Sequence, residues 1–136
     1  YSPPFTELSE ANYDKKFKQF DEVIKEFLET SSEDIAGCAL PKADGTIEGI
    51  YPPGSIVPMA YRRICFRARE IFHEFGRGAS VKAVFEEGSG KIVLRNIPES
   101  GRMLVAFMSR EAKLGAMFLE VERLINAILE AQGKSD

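Results

Sequence analysis

Residues 55–78, SIVPMAYRRICFRAREIFHEFGRG, constrain this chain more than any other stretch. At about 100° per residue on a helical wheel, Val57, Tyr61, Ile64, Ala68, Ile71, Phe72 and Phe75 share one broad arc, which reads as a core face. On the opposite side Met59, Phe66 and His73 recur every seven residues, flanked by Arg62, Arg63, Arg69 and Glu70. A helix at the surface of a domain is ordinarily polar there. A second apolar line edged with arginine predicts a helix held between its own sheet and a second body, either another copy of the chain or a partner protein. The competing reading is that Met59 and Phe66 are scattered exposed apolar side chains, which are common and carry no meaning.

The segments on either side read as a small sandwich. Residues 1–10 contain Pro3-Pro4, lack periodicity and read as a flexible arm. Residues 11–30 read as a helix, with Phe17, Phe20, Ile24, Phe27 and Leu28 at spacings of three and four. DIAGCALP, residues 34–41, is a strand whose small residues allow close approach on both faces. Asp44-Gly45 gives a hairpin turn, and residues 46–51 return as a second strand. Pro52-Pro53-Gly54 breaks the chain, Ser55 caps the central helix, and Gly76 and Gly78 end it. Three strands follow, at 79–86, 91–97 and 103–109, joined by turns rich in Gly, Ser and Pro. Val81, Ala83 and Phe85 point to one face of the first of these; Lys82, Val84 and Glu86 point to the other. Ser109 is the expected N-cap of a last helix over residues 110–132, with Leu114, Met117, Phe118, Val121, Leu124, Ile125, Ile128 and Leu129 as its apolar stripe. Gly115 inside it costs about 1 kcal/mol relative to Ala, so it is expected to mark a close approach to the sheet. The order α-β-β-α-β-β-β-α predicts an α/β sandwich built on a five-stranded antiparallel sheet. The central helix covers one face and the two terminal helices share the other. Residues 11–132 form one domain, and 133–136 form a short tail.

Composition narrows the function. The chain has a net charge of −3 over 136 residues, against the basic surface that nucleic acid needs. Yet residues 55–78 carry five arginines against Glu70 and Glu74, so the local field there favours an acidic partner. Cys38 and Cys65 read as buried thiols of a reducing, cytoplasmic setting. No apolar run is long enough for a membrane span. A chain that begins at Tyr1 leaves an upstream targeting segment or lipid anchor open. His73 is the sole histidine, and two cysteines and one histidine at wide spacing make no zinc pattern. Gly88-Ser89-Gly90-Lys91 has the look of a phosphate loop. It lacks the first glycine and the following hydroxyl, and it lies in a hairpin. Neither catalytic residue, metal nor cofactor is expected, and the chain reads as a protein that works through its surfaces.

Two strings, DIAGCALPKADGTIEGI and MLVAFMSREAKLGAMFLEVERLINAI, resemble the Roadblock family, the dynein light-chain-like domains that include prokaryotic regulators of Ras-like GTPases. In the first, a glycine-containing strand meets an Asp-Gly turn and a short return strand. In the second, the last strand passes through a polar turn into a helix that opens with Leu-Gly. The resemblance runs from about residue 11 to 131, and longin and profilin domains share much of the architecture. It implies a homodimer in which the third strands of two copies pair edge to edge and the central helices lie side by side. Met59, Phe66, His73, Val81, Ala83 and Phe85 would then form the dimer interface. It further implies that a small Ras-like GTPase binds across the paired helices, with Arg62, Arg63, Arg69 and Arg77 as polar contacts and no catalytic residue supplied. An adaptor that bridges subunits of a larger assembly, or a small-ligand sensor, are the other readings that this architecture allows.

Overall fold

The computed structural model describes residues 20–52, 59–75, 82–88, 90–97 and 101–135. The expected arm, residues 11–19 of the first helix, Val57 and Arg77 lie outside them, as does Val81. The elements are α1 (Asp21–Thr30), β1 (Ile35–Pro41), β2 (Ile47–Tyr51), α2 (Met59–Phe75), β3 (Lys82–Glu87), β4 (Gly90–Ile97), β5 (Arg102–Met108) and α3 (Leu114–Ser135). This is the order expected from the sequence. The strands form one antiparallel sheet in the order β2-β1-β5-β4-β3. The last strand is thus inserted beside the first, which leaves β2 and β3 at the edges.

Period-two alternation divides the sheet's side chains between two cores. Val93, Leu104 and Ala106 pack with Ile24 and Leu28 of α1 and with Met117, Val121, Leu124 and Ile128 of α3. Their neighbours Leu94, Met103, Val105 and Phe107 pack on the other face with Cys65, Ala68 and Phe72 of α2. Residues 103–108 of β5 are therefore buried on both faces, and the layering matches the expectation: α2 on one side, α1 and α3 on the other.

Polar ties cross the layers. Glu48 of β2 pairs with Arg102 of β5, Oε1 to Nε at 2.7 Å. The same guanidinium donates from Nη1 to Gln132 Oε1 of α3 at 2.9 Å and lies over the Phe20 ring, 5.0 Å from its centroid. Arg95 of β4, buried, reaches Glu122 of α3 with Nη2 to Oε1 at 2.9 Å.

Three local expectations are corrected. The buried face of α2 is Cys65, Ala68 and Phe72; Ile64 and Ile71, assigned to the core arc from the wheel, are 42% and 54% exposed. The helix is rolled toward the β1–β2 hairpin, where Arg69 Nη2 donates to Pro41 O at 2.7 Å and Arg62 Nη1 to Gly45 O at 3.0 Å. Cys65, which the core arc did not include, lies in the middle of the buried face. The last helix starts at Leu114, not at residue 110. Ser109 is not its cap: its N–H donates to Asp34 O at 3.1 Å, and Ala112 N–H closes a turn onto Ser109 O at 3.2 Å. Leu114 and Leu129 of the expected stripe are exposed, and α3 runs past the expected end at Gln132 to Ser135.

Gly115 is the third correction. It is exposed, and a Cβ there would meet nothing within 4 Å. The close approach is at Gly90, in the string that resembles a phosphate loop. A Cβ on Gly90 would sit 2.4 Å from Met108 O, a backbone atom with little freedom to yield. Lys91, next to it, is used locally, its Nζ donating to Arg110 O at 2.6 Å. Gly90→Ala should destabilise the fold by about 1–3 kcal/mol through this overpacking. Gly88→Ala, where a Cβ has open space, should cost well under that. Urea melts of the two variants give the comparison, and equal losses would contradict it.

Candidate interaction surfaces

The two edges of the sheet are treated differently by the chain. The outer edge of β2 is occupied by the start of α1: Phe20 N–H donates to Glu48 O at 2.9 Å, and Ile50 N–H donates to Asp21 Oδ1 at 2.8 Å. Asp21 is buried as it does so. On β3 the inner side pairs with β4 along its whole length. Among the described residues nothing covers the outer side. Open strand edges of this kind invite another strand.

The two faces of β3 differ too. Val84 leans on the α1/α3 core, and Lys82 Nζ stands 4.3 Å over the Phe118 ring. Ala83 joins the α2-side core, and by alternation Phe85 shares that face, 50% exposed. Ile64 and Ile71 leave α2 on the flank away from the β1–β2 hairpin. That flank looks toward the β4–β3 half of the sheet. Ile64, Ile71 and Phe85 are thus exposed apolar side chains, the isoleucines on the α2 flank away from the hairpin and Phe85 on the α2 side of β3.

The other flank of α2 faces the hairpin and forms an open groove of about 470 Å³, walled by Pro41, Lys42, Ala43, Asp44 and Gly45 on one side and by residues of α2 on the other. The wall is fixed by the Asp-Gly turn. Gly45 has φ of 91°, a conformation suited to glycine, and Asp44 Oδ1 accepts from Thr46 N–H at 2.9 Å. That backbone hydrogen bond holds the Asp44 carboxyl below its ordinary pKa. Cys65 lines the groove but is buried, and burial pushes its thiol up to about 11, against the opposing pull of Arg69 and Arg62. Burial first, and the negative charge of nearby Asp21 second, drive the Cys38 thiol higher still. Both are neutral thiols at physiological pH, in keeping with packing rather than nucleophilic chemistry. Burial also lowers the pKa of Arg62 and Arg69. Among the described residues no group of three or more His, Cys, Asp or Glu is gathered as a metal site. None of the described helices is long and apolar enough to cross a membrane.

The residues singled out in the sequence thus divide into two surfaces. Ala83 and Phe85 lie on the α2 side of β3. Phe66, 61% exposed, lies in the hairpin groove with Arg62, Arg63 and Arg69. His73 is exposed on the same line as Phe66, and the side chain of Met59 lies outside the described residues. Ile64, Ile71 and the hairpin wall were missed as surface features. The seven-residue spacing of Ile64 and Ile71 was visible, but hydrophobicity alone assigned them inward.

No family model matches the sequence, and no curated protein matches it. Among solved structures, a Roadblock/LC7 domain from Streptomyces avermitilis matches with a TM-score of 0.58 and 19% identity, over 81% of this chain and 94% of that one. The chain has the Roadblock/LC7 fold. Myxococcus xanthus MglB matches with a TM-score of 0.62 at 11% identity, over 90% of this chain and 93% of its own. Profilin IB of Acanthamoeba castellanii matches with a TM-score of 0.56 at 17% identity, over 87% and 99%. The α/β layering expected from the order of elements, and the likeness in fold to Roadblock and profilin domains that the resemblance implied, are therefore present. At these identities the likeness is one of fold, so the function of this Roadblock-fold chain has to be argued from its own surfaces.

Proposed function

We propose that this chain is a homodimeric, non-catalytic protein-binding module of the cytoplasm that regulates or scaffolds a small Ras-like GTPase. The contrast between the two sheet edges carries the reading. The chain closes β2 with its own backbone and a buried carboxylate, and among the described residues nothing pairs with the outer side of β3, which carries the exposed Phe85. A two-fold pairing of β3 with its copy satisfies both edges at once and sets the Ile64–Ile71 flanks of two α2 helices together. Ala83 and Phe85 lie in that seam, while His73, on the same line of α2 as Phe66, stays on the outward side. The paired helices then present the Phe66 side outward, with Arg62, Arg63, Arg69 and Arg77 as polar contacts for the partner; arginines are frequent interface anchors. The resemblance to Roadblock-type regulators, which implies a Ras-like GTPase held across paired central helices, supports the same partner class for this chain.

The test is a pulldown of the purified chain with a Ras-like GTPase encoded beside its own gene, in both nucleotide states, together with hydrolysis and exchange assays. Binding in one state in preference to the other is expected. Binding with no change in hydrolysis or exchange assigns the scaffold role. Failure to bind in either state overturns the GTPase as partner.

A further inference from the structure

We infer that the groove between the β1–β2 hairpin and α2 docks an acidic segment of a partner protein, its carboxylates on the arginine rim and one apolar side chain against Phe66. The inference rests on the reading that this face meets a partner, and it names the chemistry of the part that is held.

Charge is the first argument. Lys42, Arg62, Arg63, Arg67 and Arg69 line the groove, and Asp44 is the one carboxylate among its described lining residues. This stands out in a chain whose net charge is −3. The Asp44 carboxylate is turned into its own hairpin, accepting from Thr46 N–H. Arg67 has Glu70 at 3.9 Å, with both side chains mostly exposed, a geometry worth little and easily exchanged. Preorganisation is the second. The bond from Arg69 to Pro41 O places that guanidinium without cancelling its charge, because the acceptor is a neutral carbonyl, and the bond from Arg62 to Gly45 O tethers a second guanidinium to the same wall. A guanidinium presents five donors in a fixed fork, so a held arginine still offers an edge that fits a carboxylate. Both groups are partly removed from water, and the lowered pKa of each records how poorly its charge is solvated there. An arriving anion relieves that.

Phe66 supplies the apolar half of the site. A large aromatic ring, 61% exposed beside four arginines, matches the composition of interface anchors. The groove is open along one side of the helix, which suits an extended chain segment better than a metabolite needing enclosure. A second copy of this chain is a poor occupant. The same groove on that copy is equally basic, and the open β3 edge lies on the other flank of α2.

The experiment uses the full chain and a short fluorescent peptide of aspartates and glutamates around one central phenylalanine. One control carries serine at the centre, and a second replaces the acids with lysine. Anisotropy titration at low salt should give saturable binding to the acidic peptide that weakens as salt screens the charges. Amide shifts should centre on Gly45, Phe66 and Arg69. The serine control should bind about tenfold more weakly, and the lysine control not at all. Phe66→Ala should lose about tenfold in affinity. Arg63→Glu with Arg67→Glu, both at exposed positions that leave the circular dichroism unchanged, should lose at least as much. Equal binding of the serine control, shifts centred elsewhere, indifference of both variants, or displacement by a short oligonucleotide at lower concentration than by peptide each overturns the inference. Peptide binding alongside a failed GTPase pulldown keeps the groove and removes the GTPase. GTPase binding that ignores all three substitutions does the reverse.

Discussion

Glu48→Ala is expected to cost about 3 kcal/mol of folding stability, the largest loss from any single polar substitution in the described residues. Its partner Arg102 is held by two contacts from Glu48, Nε to Oε1 at 2.7 Å and Nη2 to Oε2 at 3.3 Å. The Glu48 and Arg102 side chains are only 12% and 9% exposed. Removing the carboxylate leaves a guanidinium charge in a place where water cannot replace it, and such broken pairs cost about 3–5 kcal/mol. The low end applies because Gln132 Oε1 still accepts from Arg102 Nη1 and the Phe20 ring still faces it. The Arg95–Glu122 pair makes the comparison. There Arg95 is as buried, at 6%, but Glu122 is 41% exposed, so removing its carboxylate lets water into the vacated place, and the loss should be smaller, about 2 kcal/mol. Adding Arg102→Met to Glu48→Ala removes the stranded charge and should recover much of the stability. Urea melts at one fixed protein concentration, needed because self-association shifts apparent stability, provide the four values. If Glu48→Ala loses no more than Glu122→Ala, or the double variant is less stable than the single, the pair is not the cross-layer tie described.

The order of elements and the sides on which the helices pack were legible because each depends on local signals. Asp44-Gly45 fixes the first hairpin, period-two runs fix the strands, and a wide apolar stripe fixes α3. What escaped depends on contacts between distant residues. The roll of α2 is set where Arg62 and Arg69 find carbonyls of a turn some 20 residues earlier, and no periodicity reports where those carbonyls lie. A wheel that scores hydrophobicity turns Ile64 and Ile71 inward, because it cannot register that a small thiol at Cys65 fits the sheet better. Ser109 reads as a cap because it precedes a helix, yet its N–H donates to Asp34 O at the entry to the neighbouring strand β1. Gly115 and Gly90 are indistinguishable as letters; only the pairing of β4 beside β5 shows which one has a backbone oxygen against it. The resemblance places Phe66 and Phe85 in one dimer interface, and the strand order sets the hairpin and β3 at opposite ends of the sheet.

That separation sets the second large effect. Ile71→Asp combined with Phe85→Asp should convert a dimer into a folded monomer, raising the dissociation constant by about a hundredfold or more. Ile71 and Phe85 are 54% and 50% exposed in the single chain. Their replacement should therefore change the stability of the monomer little, as surface substitutions away from special features do. At a two-fold seam every substitution occurs twice, and four unpaired carboxylates brought against apolar surface oppose association far more than they disturb the fold. Sedimentation analysis over a range of concentrations reads the dimer, and circular dichroism checks the fold. Phe66→Asp is the discriminating control. It introduces the same charge on the same helix but on the hairpin flank, so a β3-centred seam leaves that dimer intact. A monomer from Phe66→Asp alone, with the Ile71/Phe85 variant still dimeric, would move the seam to the Met59–Phe66–His73 line and leave the open edge of β3 to some other strand.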